Sequence, residues 1–227
     1  MVICLFDIDG TLLASGGAGK AALESAFSEE FQLKLRHQVP YSGRTDRAIV
    51  RDLLQLHEVE ETPANLDRLL RGYLRRLPAS LNAHRGCVLP GIQSLLDHLR
   101  QRNHCAIGLL TGNVRAGAKA KLGHFGLAEH FRFGGFGDHH FDRDDVAREA
   151  LAAVRDEMGA QVLPEQIWVI GDTTLDVRCA RAIGANVAAV ATGVHSYEEL
   201  VAAEPDVALR DLSDAAPLME CWRQTGI

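Results

Sequence analysis

Residues 1–13 read MVICLFDIDGTLL, and the fold turns on how the middle of that stretch is read. Val2 to Phe6 is a short apolar run of the kind that forms a buried β-strand, and it ends in two carboxylates, Asp7 and Asp9, one residue apart. Burying an unpaired carboxylate is costly, and two at one strand end repel each other. Each must be hydrogen-bonded, protonated or neutralised by a cation. Gly10 follows at once and suits a tight turn. The stretch therefore reads as a strand opening into a site, provided that other parts of the chain compensate its charge.

Outward from it, the second half of the chain repeats the same grammar. After Pro90-Gly91, the positions Ile92, Leu95, Leu96 and Leu99 mark one face of a helix. HCAIGLLTGN then reads as a strand ending in a small polar turn, followed by a helix from about Val114 and a second strand in FRFGGF. A helix from Asp142 to about Met158 leads to the strand Ile167 to Ile170, which ends in GDTTLD. A helix through Val177 to Ile183, the strand NVAAVA, a short helix near Tyr197 to Ala203 and a weak strand DVAL complete the series. Apolar strands alternating with helices predict an α/β, Rossmann-like parallel sheet with helices on both faces.

Residues 14–87 differ in character. They show helical patterns over Ala18 to Phe31, Asp46 to Leu56 and Ala64 to Leu77, many arginines and no convincing buried strand. This predicts a helical domain inserted between 1–13 and 88–227, with hinges near Leu13 to Gly17 and Arg85 to Pro90. No repeat or low-complexity segment is evident.

Composition narrows the function. A chain of 227 residues, 47% hydrophobic and 24% charged with net charge −6, is ordinary for a globular protein, and no basic block calls for nucleic acid or an anionic membrane surface. No apolar stretch nears a membrane span. Met1 leads straight into a strand without a signal-peptide pattern. The five cysteines are scattered with no CxxC spacing, so a reducing cytoplasm is the expected compartment and neither a disulfide nor a zinc site is expected. No sequence feature sets an oligomeric state.

Three predicted strand ends carry polar punctuation: FDIDGT, LLTGN and VIGDTTLD. In an open parallel sheet, ligands collect outside the carboxyl ends of the strands. Asp7, Asp9, Thr111, Asn113, Asp172 and Asp176 should thus share one crevice. Four carboxylates there require a cation, and oxygen donors without His or Cys favour Mg²⁺ over Zn²⁺. Because Mg²⁺ commonly combines a few carboxylates with substrate phosphate, the set points to a metal-dependent phosphoryl site.

Taken in order, DIDGT (Asp7 to Thr11), LLTGN (Leu109 to Asn113) and GDTTLD (Gly171 to Asp176) resemble the haloacid dehalogenase superfamily of phosphatases. The resemblance extends to the helical cap of its phosphoglycolate phosphatase-like branch. It implies that Asp7 is the nucleophile that forms an aspartyl-phosphate, and that Asp9 is the general acid/base. An Asp at this second position separates the phosphatases from the true dehalogenases. The Asp7 carboxylate, the Asp9 carbonyl and Asp172 would hold Mg²⁺, with Asp176 orienting its waters or a nearby cation. Thr111 and the amides of Gly112 and Asn113 would receive the phosphoryl oxygens.

The family also places a cation by the nucleophile, usually in a Lys-Pro pair opening the helix before the GD motif. This sequence has FDRDDVAREA there, which makes Arg143 the matching candidate. A guanidinium can bridge two carboxylates or a phosphate. The alternative is Lys121, on the order of 10 Å along its helix from the start at 1.5 Å per residue. Arg143 is preferred over it, although an exposed arginine in a charged helix start is the plainer reading.

Other motifs divide similarly. GGAGK (Gly16 to Lys20) lacks the spacing and the Ser/Thr of a P-loop and reads as a hinge, with Lys20 still able to meet substrate. YSGRTDRAI (Tyr41 to Ile49) is a turn and helix start capped by Thr45 or Asp46. The family often selects substrate at this point, so Arg44 would meet an anionic leaving group, a surface arginine being the alternative. His139-His140 are not expected to bind metal. The function expected is hydrolysis of a small phosphate monoester, phosphoglycolate-like or a sugar phosphate. A phosphomutase, a non-catalytic phospho-ligand binder and a receiver-type signalling module are the other readings.

Overall fold

The computed structural model describes residues 1–102 and 104–224. Strand β1 (Val2–Phe6) lies inside a six-stranded, all-parallel sheet with β4 (Cys105–Leu110), β5 (Gly134–Gly135), β6 (Ile167–Gly171), β7 (Asn186–Val190) and β8 (Val207–Leu209). Spatial order is β5-β4-β1-β6-β7-β8. Phe6 pairs with Leu109 on one side and Ile170 on the other, so the three polar strand ends finish level with one another.

The two faces follow from the period of two along a strand. Val2, Cys4 and Phe6 face a core with Leu95, Leu96 and Leu99 of α4 (Ile92–Arg100), Leu122 of α5 (Arg115–His124) and Leu218 of α9 (Ala216–Gln224). Ile3 and Leu5 face the other core, with Val146, Ala150 and Val154 of α6 (Arg143–Met158), Val177 and Ala180 of α7 (Thr174–Ala182) and Leu200 of α8 (Tyr197–Ala202).

Helices α1 (Ala18–Phe31), α2 (Asp46–Leu56) and α3 (Pro63–Ala83) build a third apolar cluster around Leu23, Phe27, Leu53, Leu69 and Leu77, joined by Val114 from the start of α5. The chain enters and leaves these helices through β2 (Leu13–Ala14) and β3 (Cys87–Val88), a short antiparallel ribbon pairing Leu13 with Val88 and Ala14 with Cys87.

Four sequence expectations need correction. Helix α3 does not end at Leu77 but runs through Pro78 to Ala83. A proline inside a helix costs about 3 kcal/mol, which the continuing buried stripe of Leu77 and Leu81 offsets. The strand expected over FRFGGF shrinks to Gly134–Gly135, where the backbone presses so closely that a Cβ on Gly134 would lie 2.4 Å from the Leu109 carbonyl oxygen. Helix α9, beyond the last expected element, packs Trp222 edge-on to Trp168. The segment between the hinges also meets strand structure at both ends, in β2 and β3. Among the described residues, no helix is long and apolar enough to cross a membrane.

Candidate active site

The turn after β1 is held largely by backbone hydrogen bonds, with the Thr192 hydroxyl donating to the Gly10 carbonyl at 2.5 Å. The Asp7 amide donates to the Ile170 carbonyl at 2.9 Å, and the Ile8 carbonyl accepts from Thr11, Leu12 and Leu13. Gly10 adopts φ +85°, a left-handed conformation that glycine reaches without strain. The result presents Asp7 and Asp9 in different directions.

Asp7 is buried and faces Arg143, whose Nη2 lies 3.0 Å from Asp7 Oδ2 and donates to Asp176 Oδ1 at 2.5 Å. Arg143 is itself 3% exposed. Asp142 caps α6 through its side chain, which sets Arg143 at the first helical position, aimed at the sheet. Its Nη1 also donates to the Gly43 carbonyl, 3.2 Å away in the loop before α2. The plainer reading of Arg143 as an exposed helix-start arginine is thereby excluded.

Asp9 takes a second cation. Lys121 Nζ donates to Asp9 Oδ2 at 2.5 Å and to Asn113 Oδ1 at 2.7 Å, while Asn113 Nδ2 donates to Asp9 Oδ2 at 2.9 Å. Lys121, the alternative cation, lies well inside α5. However, a helical side chain leans toward the helix N-terminus, and four methylenes carry its ammonium back to the Thr111–Asn113 turn. Both candidate cations therefore sit in the crevice, one on each catalytic-candidate carboxylate.

The turn after β4 is packed on every side. Thr111 Oγ1 accepts from the Asn113 amide and side chain at 3.3 and 2.9 Å. A Cβ on Gly112 would fall 2.1 Å from the Arg44 carbonyl oxygen, so only glycine lets the two chains meet there. Asp176 forms a capping box with Thr173, accepting from its amide at 3.0 Å and its hydroxyl at 2.7 Å.

Asp7, Asp172 and Asp176 bring ligand oxygens within 4.8 Å of one another. Burial pushes the Asp172 carboxyl up to about 8, with Asp176 and Asp7 adding repulsion against the pull of Thr11 and Arg143. Burial likewise raises Asp7 to about 6, opposed by Arg143 and reinforced by Asp176 and Asp9. Asp176 is committed to Arg143 and Thr173, whereas among the described residues Asp172 Oδ1 accepts only from the Thr11 hydroxyl, at 3.0 Å. On its other side, a Cβ on Gly10 or Gly193 would lie 2.4 or 1.7 Å from Asp172 Oδ2. Two residues without side chains thus leave room around a buried carboxylate oxygen. The hard oxygen donors, the crowded negative charge and this clearance fit a divalent metal.

Arg44 and Lys20 line the same cavity, but their charges are engaged. Arg44 Nη1 donates to Asp52 Oδ2 at 2.6 Å, and Lys20 Nζ lies 3.8 Å from Glu24. Sequence reasoning missed Asp46 and Tyr73, which also line it. Asp46 reads as a helix-start acid. Its carboxylate instead accepts from the Val114 amide at 2.8 Å, and its own amide donates to the Gly112 carbonyl at 2.8 Å, tying α2 to the turn after β4. The paired backbone and side-chain bonds have no sequence signal beyond the TD dipeptide before an amphipathic helix.

Residues 4–190 match the family model described as haloacid dehalogenase-like hydrolase. The chain belongs to that family. A phosphoglycolate phosphatase from Synechococcus elongatus is 31% identical to this hydrolase over 94% of its length and 95% of the relative's. Among solved structures, CbbY from Rhodobacter sphaeroides in complex with phosphate superposes with a TM-score of 0.77 at 18% identity, covering 95% of this hydrolase and 97% of that chain. A β-phosphoglucomutase from Clostridium difficile gives a TM-score of 0.76 at 15% identity over 99% of each. These two likenesses show a shared fold.

Proposed function

We propose that this hydrolase is a Mg²⁺-dependent phosphatase that cleaves a small phosphate monoester through an aspartyl-phosphate on Asp7, with Asp9 as general acid/base. The observation that carries the reading is the division of the two carboxylates, Asp7 against Arg143 and Asp9 against Lys121 and Asn113, in one crevice. The identity to a phosphoglycolate phosphatase supports it.

In this reading an Asp7 carboxylate oxygen attacks phosphorus and the bond from phosphorus to the leaving oxygen breaks, while Asp9 gives that oxygen its proton. Water then attacks phosphorus, Asp9 takes the water's proton, and the bond to Asp7 breaks to release phosphate. Lys121 and Asn113 hold Asp9 in direction, and Arg143 holds Asp7 against Asp176. Thr111 and the Gly112 and Asn113 amides receive the phosphoryl oxygens. Asp7, the Asp9 carbonyl and Asp172 would hold Mg²⁺, which neutralises phosphoryl charge when bound. Residues 14–87 act as a cap domain over a core of 1–13 and 88–227, excluding bulk water when closed. The cytoplasm, where phosphate esters abound, is the compartment that suits this role.

Phosphate release from a panel of small esters is expected with Mg²⁺ and should fall to background with EDTA. Release that persists in EDTA would overturn the metal requirement. Mg²⁺ affinity should itself depend on pH. The raised carboxyls of Asp7 and Asp172 stabilise the metal-free fold when protonated, a contribution complete below their ordinary 3.8 and lost as pH rises through about 6 and about 8. Binding must displace the Asp172 proton, so affinity is expected to rise about tenfold per pH unit from pH 6 to 8 and then level off. Calorimetry that shows the same affinity at pH 6 and 9 would refute this.

A further inference from the structure

We propose that the leaving group of the substrate is a neutral alcohol with a flat or apolar ring face, rather than a second acid. The inference rests on the phosphatase reading and concerns the cavity that Asp7 and Asp9 share with helices α1, α2 and α3. The cavity measures about 340 Å³, at the lower end of the roughly 300–1,000 Å³ that hold drug-sized ligands, and is roomy for an ester as small as phosphoglycolate. Leu23, Tyr41, Ile49 and Tyr73 are among its lining residues.

Charge makes the stronger case. A carboxylate entering this space loses hydration and must find a cation to replace it. Each cation in the lining already has an acidic partner. Arg143 serves Asp7 and Asp176, and Lys121 serves Asp9. Arg44 meets Asp52 at 2.6 Å, with a further contact to the Pro40 carbonyl at 3.4 Å. Lys20 lies 3.8 Å from Glu24 and 5.6 Å from the centre of the Tyr41 ring. Asp46 adds a partly buried carboxyl to the same wall. An anionic leaving group would have to compete for one of these paired cations and approach Asp46. A neutral ring breaks none and gains contact with aromatic and aliphatic surface. Tyr41 is suited to it, since its hydroxyl donates to Glu24 Oε1 at 3.5 Å and the contact with Lys20 further fixes the ring.

Lys20 is the rival anchor, because its pair with Glu24 is long and its side chain 43% exposed, and such pairs are weak. The test separates them by measuring binding, with Mg²⁺, to the Asp7→Asn variant, so that ligands are not consumed. Adenosine 5′-monophosphate, phenyl phosphate, ribose 5-phosphate and phosphoglycolate are the probes. At least one ring-bearing ester is expected to bind ten times more tightly than phosphoglycolate, and Tyr41→Ala should remove most of that margin. Comparing the nucleotide with phenyl phosphate tells a nucleoside from an aryl alcohol. Phosphoglycolate binding as tightly as both, with a tenfold loss on Lys20→Gln, would overturn the proposal, as would a margin untouched by Tyr41→Ala. Tighter binding by ribose 5-phosphate than by both ring esters would also overturn it. If the margin holds but the wild type releases no phosphate from any ester, the phosphatase reading fails and with it the leaving-group assignment, while the cavity's preference for a ring-bearing ester is established as binding alone.

Discussion

Asp7→Asn is expected to lower phosphate release by about 10⁴-fold or more, because under the proposed mechanism it removes the atom that would form the covalent bond. Asparagine keeps the shape and one acceptor oxygen for Arg143, so the fold should survive. Above pH 6 the metal-free variant should be no less stable than the wild type, since Asp7 is held ionised there against its burial. Asp9→Asn makes the complementary case. In the proposed mechanism it would leave the nucleophile intact but remove the group that protonates the leaving oxygen and activates water, a loss of about 10²–10⁴-fold. Rapid-quench digestion should then find phosphate retained on the peptide that carries Asp7. Retention of more than a tenth of wild-type activity by Asp7→Asn would end the aspartyl-phosphate mechanism.

The second large effect is on stability. Arg143→Met removes the one guanidinium placed between Asp7 and Asp176, leaving two buried carboxylates without their cation. Breaking a buried pair from one side costs about 3–5 kcal/mol, mostly the penalty of the stranded charge. The loss should show in urea unfolding with EDTA at pH 8, and should shrink at pH 5, where Asp7 is protonated in the folded state. A loss under about 1 kcal/mol at pH 8 would mean that Asp176 is neutralised in some other way. Arg143→Lys, which keeps the charge but not the planar fork, should recover only part of the stability.

The sheet was legible because β1, β4 and β6 are nearly unbroken apolar runs, each ending in a polar turn. Parallel strands covered on both faces require that pattern. The positions of Asp7, Thr111 and Asp172 followed from it. Elements with weaker composition were harder: β5 exists because two glycines let it touch Leu109 and α6, and glycine carries no strand signal. Pro78 argued for a helix end that Leu81 overrides. At the site, the preference for Arg143 over Lys121 came from counting along a helix axis without the tilt and length of the lysine side chain. Asp46 was hidden because its partners, the Val114 amide and the Gly112 carbonyl, are backbone groups nearly 70 residues away, and backbone partners leave no trace in the side-chain sequence.

The position of β1 also bears on how the chain is made. Of the strands described it is the earliest in the chain, yet its hydrogen-bonding neighbours are residues 105–109 and 167–170. At about 5–20 residues per second, a ribosome takes roughly 10–30 s to go from Phe6 to Ile170. During that interval the helices of residues 18–83 can collapse on contacts near in sequence, whereas Val2 to Phe6 waits as an unpaired apolar edge. Long-range pairing of this kind is slow. Nascent chains stalled before residue 167 should therefore hold this segment accessible to chaperones and proteases, and longer ones should protect it.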